Sequence, residues 1–249
     1  MQPEQYPLMR QEEERHWWYR GNRSVARRLL TRWRPSRCEW RLDAGCGTGK
    51  NLEALAGFGE PIGIDYMPAA LAFSRDRGFE RLARASVSEL PVASASVDVV
   101  TCFEVLCHGG VPDWQAAIRE YARVLRPGGI VMLREPAFSF LAGSHDRVVH
   151  GMRRYRRKEF RAAVEAAGLE VVRCSYQNLC TFFPALVIRT WQRWFKPRDA
   201  AAAHSADFHK GSPALGALLV AWLTFEGWLL QYVRLPLGSS VLCVARKRD

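Results

Sequence analysis

Three glycines at alternate positions close a short apolar run, RLDAGCGTG at 41–49, and this segment constrains the fold more than any other. Glycine adopts positive φ angles and lets the backbone approach a ligand closely. In open α/β sheets, ligands bind at the carboxyl ends of the parallel strands. The segment therefore predicts a strand that ends in a ligand-binding loop, and the residues KNLEALAG that follow it predict a helix.

Short apolar runs alternate with helical patterns from residue 41 to residue 136. The later runs are PIGID, SVDVVTCFEV and GGIVMLREP, and the helix-like segment DWQAAIREYARVL precedes the last of them. Strands that alternate with helices join into a parallel sheet through right-handed crossovers. A helix at 157–168, the strand LEVVRCSYQ and a final strand at 239–247 continue the pattern.

The other segments are predicted to be additions to this core. We expect residues 1–39 to form an N-terminal helical lid, 40–176 the core, 177–238 a helical cap insertion and 239–249 the last core strand. The insertion is expected because a simple domain of this class needs only a tight connection before its last strand. Inside it, residues 196–213 are rich in small and polar side chains, which predicts a linker.

The residues around the glycine loop discriminate between ligands. A dinucleotide fingerprint needs Gly or Ala where this chain has Lys50, and a phosphate-binding P-loop needs Ser or Thr where it has Asn51. The carboxylate of Asp43 disfavours a pyrophosphate and favours a ligand that carries an ammonium and a sulfonium group. Asp65 ends the strand PIGID twenty residues after Gly45, the spacing at which an acidic residue reaches an adenosine ribose. Together these residues predict S-adenosylmethionine.

An ordered set of motifs between residues 41 and 136 resembles the class I S-adenosylmethionine-dependent methyltransferases, in particular those with a Methyltransf_11-type core. The resemblance implies an α/β fold with a Rossmann-like, doubly wound sheet of seven mostly parallel strands. It also implies S-adenosyl-L-methionine as the cofactor. The matching segments are LDAGCGTG at 42–49, GIDY at 63–66, SELP at 88–91, DVVTCFEVLCH at 98–108 and RVLRPGGIVML at 123–133.

The resemblance assigns cofactor roles to individual residues. It implies that Gly45 and Gly47 contact the methionine part, that Asp65 binds the ribose hydroxyls and that Tyr66 lies near the adenine. For Asp65, a role at the start of the next helix is an alternative that does not exclude the first.

Four further residues complete the expected cofactor site. The family often has Asp at the position of Ser86, so the Ser86 hydroxyl or the Val87 backbone is expected to take its place near the adenine. In the N-terminal segment HWWYRGNR, which resembles the lid of this group, Tyr19 is expected to contact the carboxylate or sulfonium side of the cofactor. Phe103, in the fourth motif, is also expected to bind the cofactor.

Three residues are candidates for catalysis. Methyl transfer from a sulfonium is an in-line displacement, so the enzyme aligns the acceptor and, for hydroxyl or carbon acceptors, removes a proton. His108 is the first candidate base because histidine titrates near neutral pH, with a helix-capping or loop-packing role as the alternative. His145 and Tyr155 lie in SHDRVVHGMRRYRRKEF at 144–160, a pattern that also occurs in the resembling group.

The same segment has other interpretations. Ligand types alone would allow a metal site at His145, Asp146 and His150, but no metal is predicted. Arg153 and Arg154 match a substrate anion better, since guanidinium groups pair with phosphate and carboxylate. A solvated basic turn explains the two arginines equally well.

Two predicted helices of the insertion leave its role open. Residues 181–196 place Arg189 and Arg193 opposite an apolar face, which predicts a basic amphipathic helix. The apolar run 215–230 is shorter than the about 20 residues that span a bilayer, and it contains Glu226. We expect Glu226 to be a buried ion-pair partner, with a pocket carboxylate as the alternative. The helices either pack on the core as a substrate cap or contact a membrane surface.

Composition limits the partners and the compartment. The chain has 36 basic and 25 acidic residues, a net charge of +11 that favours anionic partners. Its arginines are scattered and no nucleic-acid motif is present, so a nucleic acid is not predicted. The seven cysteines predict free thiols, and the polar N-terminus lacks the pattern of a signal peptide. We therefore expect a cytoplasmic protein, with peripheral membrane contact left open.

These features predict an enzyme that transfers a methyl group from S-adenosylmethionine to a small-molecule or lipid-linked acceptor in biosynthesis. Two alternatives stay open at this point: a non-catalytic subunit that binds S-adenosylmethionine, and a methyltransferase that acts on nucleic acid. The sequence does not identify the acceptor atom.

Overall fold

The computed structural model describes residues 5–143, 146, 151–195 and 212–248. The described strands are β1 (Trp40–Ala44), β2 (Glu60–Asp65), β3 (Leu82–Arg84), β4 (Val97–Phe103), β5 (Leu125–Pro136), β6 (Leu169–Gln177) and β7 (Ser240–Lys247). They form one sheet in the order β3-β2-β1-β4-β5-β7-β6, in which β7 runs antiparallel to both of its neighbours. The predicted Rossmann-like sheet of seven mostly parallel strands is confirmed.

The helices lie between these strands and at the N-terminus. The described helices are α1 (Tyr6–Arg15), α2 (Trp17–Trp33), α3 (Lys50–Ala54), α4 (Pro68–Asp76), α5 (Trp114–Val124), α6 (Arg157–Ala166), α7 (Leu179–Phe195) and α8 (Pro213–Leu229). Helices α1 and α2 occupy the segment predicted as a lid, and α7 and α8 occupy the segment predicted as a cap. The predicted linker falls almost entirely outside the described residues.

The central strands bury side chains on both faces of the sheet. Alternate residues of a strand point to opposite faces. In β5, Val131 and Leu133 join the apolar cluster that contains α5 and α6, whereas Ile130 and Met132 join the cluster that contains α2 and α8. The sheet therefore separates two helical layers, and α2 and α8 form one of them.

Two glycines let α2 and α8 approach closely. A Cβ atom on Gly21 would lie 2.4 Å from Cδ1 of Leu223, and one on Gly227 would lie 3.0 Å from the Cα of Val25. Between these contacts, the hydroxyls of Ser24 and Thr224 lie 2.9 Å apart and form a hydrogen bond. Leu223 is fully buried, so one face of α8 is fixed against α2.

The outer surfaces of α7 and α8 are apolar. On α7 the side chains of Phe183, Val187 and Trp194 are exposed, and the guanidinium of Arg189 lies against Gly143. The start of α7 packs on the core through buried Phe182, whereas much of the predicted apolar face further along the helix is exposed. Within the described residues, no helix has the length and apolar content that crossing a bilayer requires.

Glu226 has a different role from the ion-pair partner that the sequence suggested. Its buried carboxylate accepts hydrogen bonds from the main-chain N–H groups of Asn178 and Leu179, at the start of α7. Burial raises the pKa of Glu226, while the two N–H donors oppose that shift. The ion-pair prediction is wrong because the first N–H groups of a helix lack partners within the helix and compete for a nearby carboxylate.

We predict that Glu226→Ala destabilises the protein, because it leaves two buried N–H groups without an acceptor. Each such group costs roughly 1–3 kcal/mol, so the free energy of unfolding should fall by at least about 2 kcal/mol in urea denaturation. The control is Glu170→Ala, at an exposed position of β6, where we expect a change below about 0.5 kcal/mol. Equal losses in the two variants would contradict the capping role.

Candidate functional site

The glycine loop lies between the end of β1 and the start of α3, and its backbone requires glycine. Gly45, Gly47 and Gly49 have φ angles of +84°, +55° and +84°, which other residues rarely adopt. A Cβ atom on Gly45 would lie 2.3 Å from a methyl group of Val105. The N–H group of Gly45 donates to the carbonyl of Ile64 over 2.7 Å, so the loop is tied to β2. The predicted strand, loop and helix are all present.

Asp65 connects this loop to the next helix. One carboxylate oxygen accepts the N–H of Gly47 and the other accepts the N–H of Met67, both over 2.9 Å. Burial raises the pKa of Asp65, and the two N–H groups and the nearby charge of His108 oppose the shift. Each oxygen of a carboxylate has a second acceptor site. The helix-start role and a contact with ribose hydroxyls are therefore compatible.

Asp43 is a buried carboxylate, and one of its oxygens has no hydrogen-bond partner among the described residues. It is 1% exposed, and its Oδ1 accepts a hydrogen bond of 2.6 Å from the hydroxyl of Thr101. Its Oδ2 is buried and has no hydrogen-bond partner among the described residues. Burial raises the pKa of Asp43 to about 6, although Thr101 and the charge of Arg41 oppose the shift. A buried acceptor without a partner is unfavourable, so the position suits a cationic group such as the ammonium of S-adenosylmethionine.

Helix α1 lies directly over the glycine loop. The methyl group of Met9 would lie 3.4 Å from a Cβ atom on Gly47. Tyr6 is buried, and burial together with the charge of Asp65 raises the pKa of its phenol. Tyr6 and Met9 were not predicted to belong to the site, because nothing in the N-terminal residues themselves indicates which loop they cover.

Ion pairs hold α1 in this position. The buried carboxylate of Glu13 accepts hydrogen bonds from the Thr48 hydroxyl and, over 2.8 Å, from Arg77. Arg77 also pairs with Glu14 over 2.8 Å, and Lys50 pairs with Glu14 over 2.7 Å. The acidic run at the N-terminus is therefore the part of the chain that binds the basic groups beside the glycine loop. The run of acidic residues is the sequence feature from which this contact could have been predicted.

Tyr19 and Phe103 lie near the carboxyl ends of β4 and β5. The guanidinium of Arg134 is 4.9 Å from the centre of the Phe103 ring and 3.4 Å from the carboxylate of Glu104. Burial raises the pKa of Tyr19, and the charge of Glu104 adds to the shift. Glu104 has a φ of +61°, a conformation that is unfavourable for a non-glycine residue and that concentrates at functional sites.

The residues expected near the adenine follow β2 and β3. Tyr66 is 63% exposed, and the guanidinium of Arg84 lies 5.5 Å from the centre of its ring. The hydroxyl of Ser86 accepts the N–H of Ser88 over 3.2 Å, and Val87 is buried. An exposed ring at the end of β2 is available for stacking, and the Ser86 hydroxyl retains donor capacity.

A buried carboxylate fixes the loop that carries His108. Glu135 accepts hydrogen bonds from three successive N–H groups, those of Val105, Leu106 and Cys107, over 3.0–3.1 Å. Burial raises the pKa of Glu135 to about 8, and the N–H donors oppose the shift. His108 follows at once, and its charge is among those that act on Asp65. The loop thus holds the candidate base at the cofactor edge of the sheet.

Tyr155 packs under the backbone of the loop that carries His108 and hydrogen-bonds to it. It is fully buried, its hydroxyl donates to the carbonyl of Leu106 over 2.8 Å, and its ring packs against Trp114 at 4.8 Å between ring centres. These contacts favour a structural role over direct contact with a substrate. His145, the third catalytic candidate, lies outside the described residues.

The two arginines predicted to bind an anion have partners within the protein. Arg154 forms an ion pair of 2.8 Å with Asp146 and donates to the carbonyl of Ala137. Arg153 lies 5.9 Å from the centre of the Trp114 ring. The carboxylate of Asp146 is therefore paired with Arg154. The histidines on either side of Asp146, His145 and His150, lie outside the described residues.

Comparison with known proteins adds independent findings. Residues 42–133 match the family described as "Methyltransferase domain" (Methyltransf_11). A Mycolicibacterium smegmatis protein named "Probable S-adenosylmethionine-dependent methyltransferase" is 33% identical over 165 residues, which cover 64% of this chain and 61% of that protein. A ubiquinone biosynthesis O-methyltransferase of Xanthomonas oryzae is 39% identical over 112 residues, or 41% of this chain and 46% of that protein.

A solved structure of a SAM-dependent methyltransferase from Thermotoga maritima matches 98% of this chain and 98% of that chain, with a TM-score of 0.58 and 15% identity. At this identity the likeness shows the fold alone. The chain spans less than two thirds of the curated relatives it matches. Residues 42–133 therefore carry a methyltransferase domain of the Methyltransf_11 family, and S-adenosylmethionine is the cofactor of that domain.

We predict that Asp65→Asn weakens binding of S-adenosylhomocysteine at least tenfold in calorimetry. The change removes a charge-assisted hydrogen bond to the ribose, worth roughly 1.5–3 kcal/mol. The control is Asp76→Asn, an exposed aspartate at the end of α4 that pairs with Arg10. Melting temperatures of both variants separate a loss of contact from a loss of loop structure. Unchanged affinity would contradict the ribose assignment.

We predict that affinity for S-adenosylhomocysteine falls as the pH drops below the pKa of Asp43, which is about 6. At neutral pH the carboxylate is ionised. Because its pKa is raised, it gains a proton already in mildly acidic solution and then no longer attracts the ligand's ammonium. The loss approaches about tenfold per pH unit below the pKa.

The Asp43→Asn variant should bind weakly and lose this pH dependence, whereas Asp76→Asn should keep it. The same pH profile in Asp43→Asn and the wild-type protein would contradict a contact between Asp43 and the ammonium group.

Proposed function

We propose that this chain, whose core is a class I S-adenosylmethionine-dependent methyltransferase domain, transfers a methyl group to a small-molecule or lipid-linked acceptor in biosynthesis. The observation that carries the proposal is the spare buried oxygen of Asp43 beside the glycine loop. This oxygen would provide an anionic contact for the cofactor, at the same edge of the sheet as the loop that carries His108.

The cofactor supplies a methyl group on a sulfonium, and the protein supplies binding and orientation. The glycine loop and Asp43 would hold the methionine part, with Tyr19 on the lid side. Asp65 would bind the ribose, and Tyr66 with Ser86 would flank the adenine. Phe103 would pack beside the methionine part. Methyl transfer gains most from alignment of the reacting atoms, so a rigid site is the main requirement.

An aromatic cluster beyond β5 supports an apolar acceptor. Phe138 stacks on Tyr176 with 4.5 Å between ring centres and on Phe140 with 5.0 Å. Phe182, at the start of α7, meets Phe138 edge-on at 5.7 Å. Phe138 has a φ of +56°, a strained conformation that the surrounding rings hold in place. Small-molecule sites are lined largely by such apolar and aromatic groups.

A hydroxyl is the acceptor group that the combined observations favour. The Xanthomonas relative is named as an O-methyltransferase, and a hydroxyl must lose a proton when it is methylated. An imidazole is a suitable general base for that proton, which makes His108 the candidate acceptor. Glu135 holds the loop of His108 through three N–H groups, so the imidazole is presented from a fixed backbone.

A turnover assay tests the function. We expect methyl incorporation from labelled S-adenosylmethionine into phenols or catechols that carry an apolar chain, and none into RNA. Binding of S-adenosylhomocysteine without turnover of any acceptor would instead support a non-catalytic cofactor-binding subunit.

With an acceptor in hand, we predict that His108→Ala lowers kcat by about 10²–10⁴-fold, the typical contribution of a general base. Affinity for S-adenosylhomocysteine should stay within about twofold, and the rise of kcat with pH through the histidine range should disappear. The control is Met152→Ala, an exposed residue whose N–H donates to Cys107 in the same loop. Full activity of His108→Ala at every pH would exclude His108 as the base.

A further inference from the structure

The outer face of α8 carries a continuous row of exposed apolar side chains. Each is 42–65% exposed; the five that belong to α8 recur every three or four residues and so lie along one side of the helix, and the sixth follows the helix by three residues. Four rings of the row contact one another in sequence, with centres 5.3–6.1 Å apart. The row consists of Leu215, Leu218, Trp222, Phe225, Trp228 and Tyr232, and we call it the aromatic row.

Among the described residues, packing leaves this row partly exposed, although the indole of Trp222 hydrogen-bonds to Glu226. Leu223 and Gly227, on the opposite side of α8, are buried against α2. Because Leu223 and Gly227 face α2, α8 cannot also turn the aromatic row toward the core. Contiguous exposed apolar surface of this kind marks an interaction site, and Trp and Tyr are the residues enriched where a protein meets the headgroup region of a bilayer.

A basic groove lies near the C-terminal end of the aromatic row, where Gln231, the neighbour of Tyr232, lines it. It has a volume of about 570 Å³, and its lining includes Arg20, Arg27, Arg28 and Gln231. Thr224 of α8 bonds to Ser24 in the wall of the groove, and Gln231, in the turn that follows α8, also lines it. The three arginines make no ion pair with another described residue. Guanidinium groups bind phosphate in a bidentate manner.

We propose that the aromatic row and the basic groove dock the protein on the surface of an anionic lipid membrane. The rings would enter the headgroup region while the arginines of α2 bind lipid phosphates on the same side. The charge pattern selects this occupant, because a second copy would bring two basic grooves together in a chain of net charge +11. Docking of this kind needs no spanning helix.

The docking proposal does not depend on methyl transfer. Its residues lie on the outer surface of the α2–α8 layer, whereas the cofactor loop lies at the carboxyl edge of the sheet. If the acceptor is lipid-linked, docking would bring the enzyme to it, but the test below uses no turnover.

Vesicle co-sedimentation tests the proposal. The vesicles are phosphatidylcholine alone, and phosphatidylcholine with phosphatidylglycerol in equal parts. We expect the wild-type protein to bind the anionic vesicles at low salt, with much weaker binding to the neutral ones. No binding to the anionic vesicles would overturn the proposal.

Two face variants and one control locate the contact. Arg27→Glu with Arg28→Glu, and Phe225→Ser with Trp228→Ser, should each reduce the partition coefficient at least tenfold. The control, Arg119→Glu with Arg161→Glu, changes the net charge as much as the first variant but lies on α5 and α6, in the opposite helical layer. An equal loss in the control would show non-specific attraction and reject the docking face.

Two further measurements keep the outcome clear. Each variant should retain the wild-type melting temperature and affinity for S-adenosylhomocysteine, which verifies the fold independently of the membrane. Lipids brominated on the acyl chain should quench tryptophan emission of the wild-type protein more than that of Trp222→Phe with Trp228→Phe. Equal quenching, or a dimer in sedimentation that Phe225→Ser with Trp228→Ser abolishes, would assign the row to another contact.

Discussion

Carboxylates that are buried against main-chain N–H groups hold the irregular segments of this protein on its sheet. Glu135 accepts three successive N–H groups of the loop after β4, and Asp65 joins the glycine loop to the start of α4. Asp98 binds the N–H groups that lead into β1, and Glu226 does the same at the start of α7. Because an unpaired buried N–H is costly, each carboxylate leaves its loop few alternative conformations.

The candidate site depends on these fixed loops. Asp43 is the penultimate residue of β1, Asp65 ends β2 and His108 follows β4, so parallel pairing of the strands brings three distant segments to one edge of the sheet. The acidic residues of α1 then close this edge through Arg77 and Lys50. Rigid loops suit a reaction whose rate depends chiefly on alignment.

The same sheet separates the chemistry from the surface that we propose to meet lipid. Helices α2 and α8 pack through glycine contacts, and that packing forces the aromatic row of α8 outward. Cofactor binding would use the edge of the sheet, and docking would use the outer side of a helical layer. Cofactor binding and membrane docking would therefore depend on different residues of the chain.

The sequence by itself determined six of the seven strands and their order along the chain, the glycine loop and the cofactor, because alternation, helical periodicity and positive φ are local properties of the chain. The three-residue strand β3 was not predicted from its own residues. Tertiary structure decided the rest. Tyr155 is buried by Trp114 and Phe160, which are close only in the fold. Helix α8 is apolar on almost every side, so its periodicity could not indicate which face α2 would cover. The hydrogen-bond partners of Glu226 are main-chain N–H groups. Every residue except proline has such a group, so the sequence does not indicate which of them a carboxylate will bind.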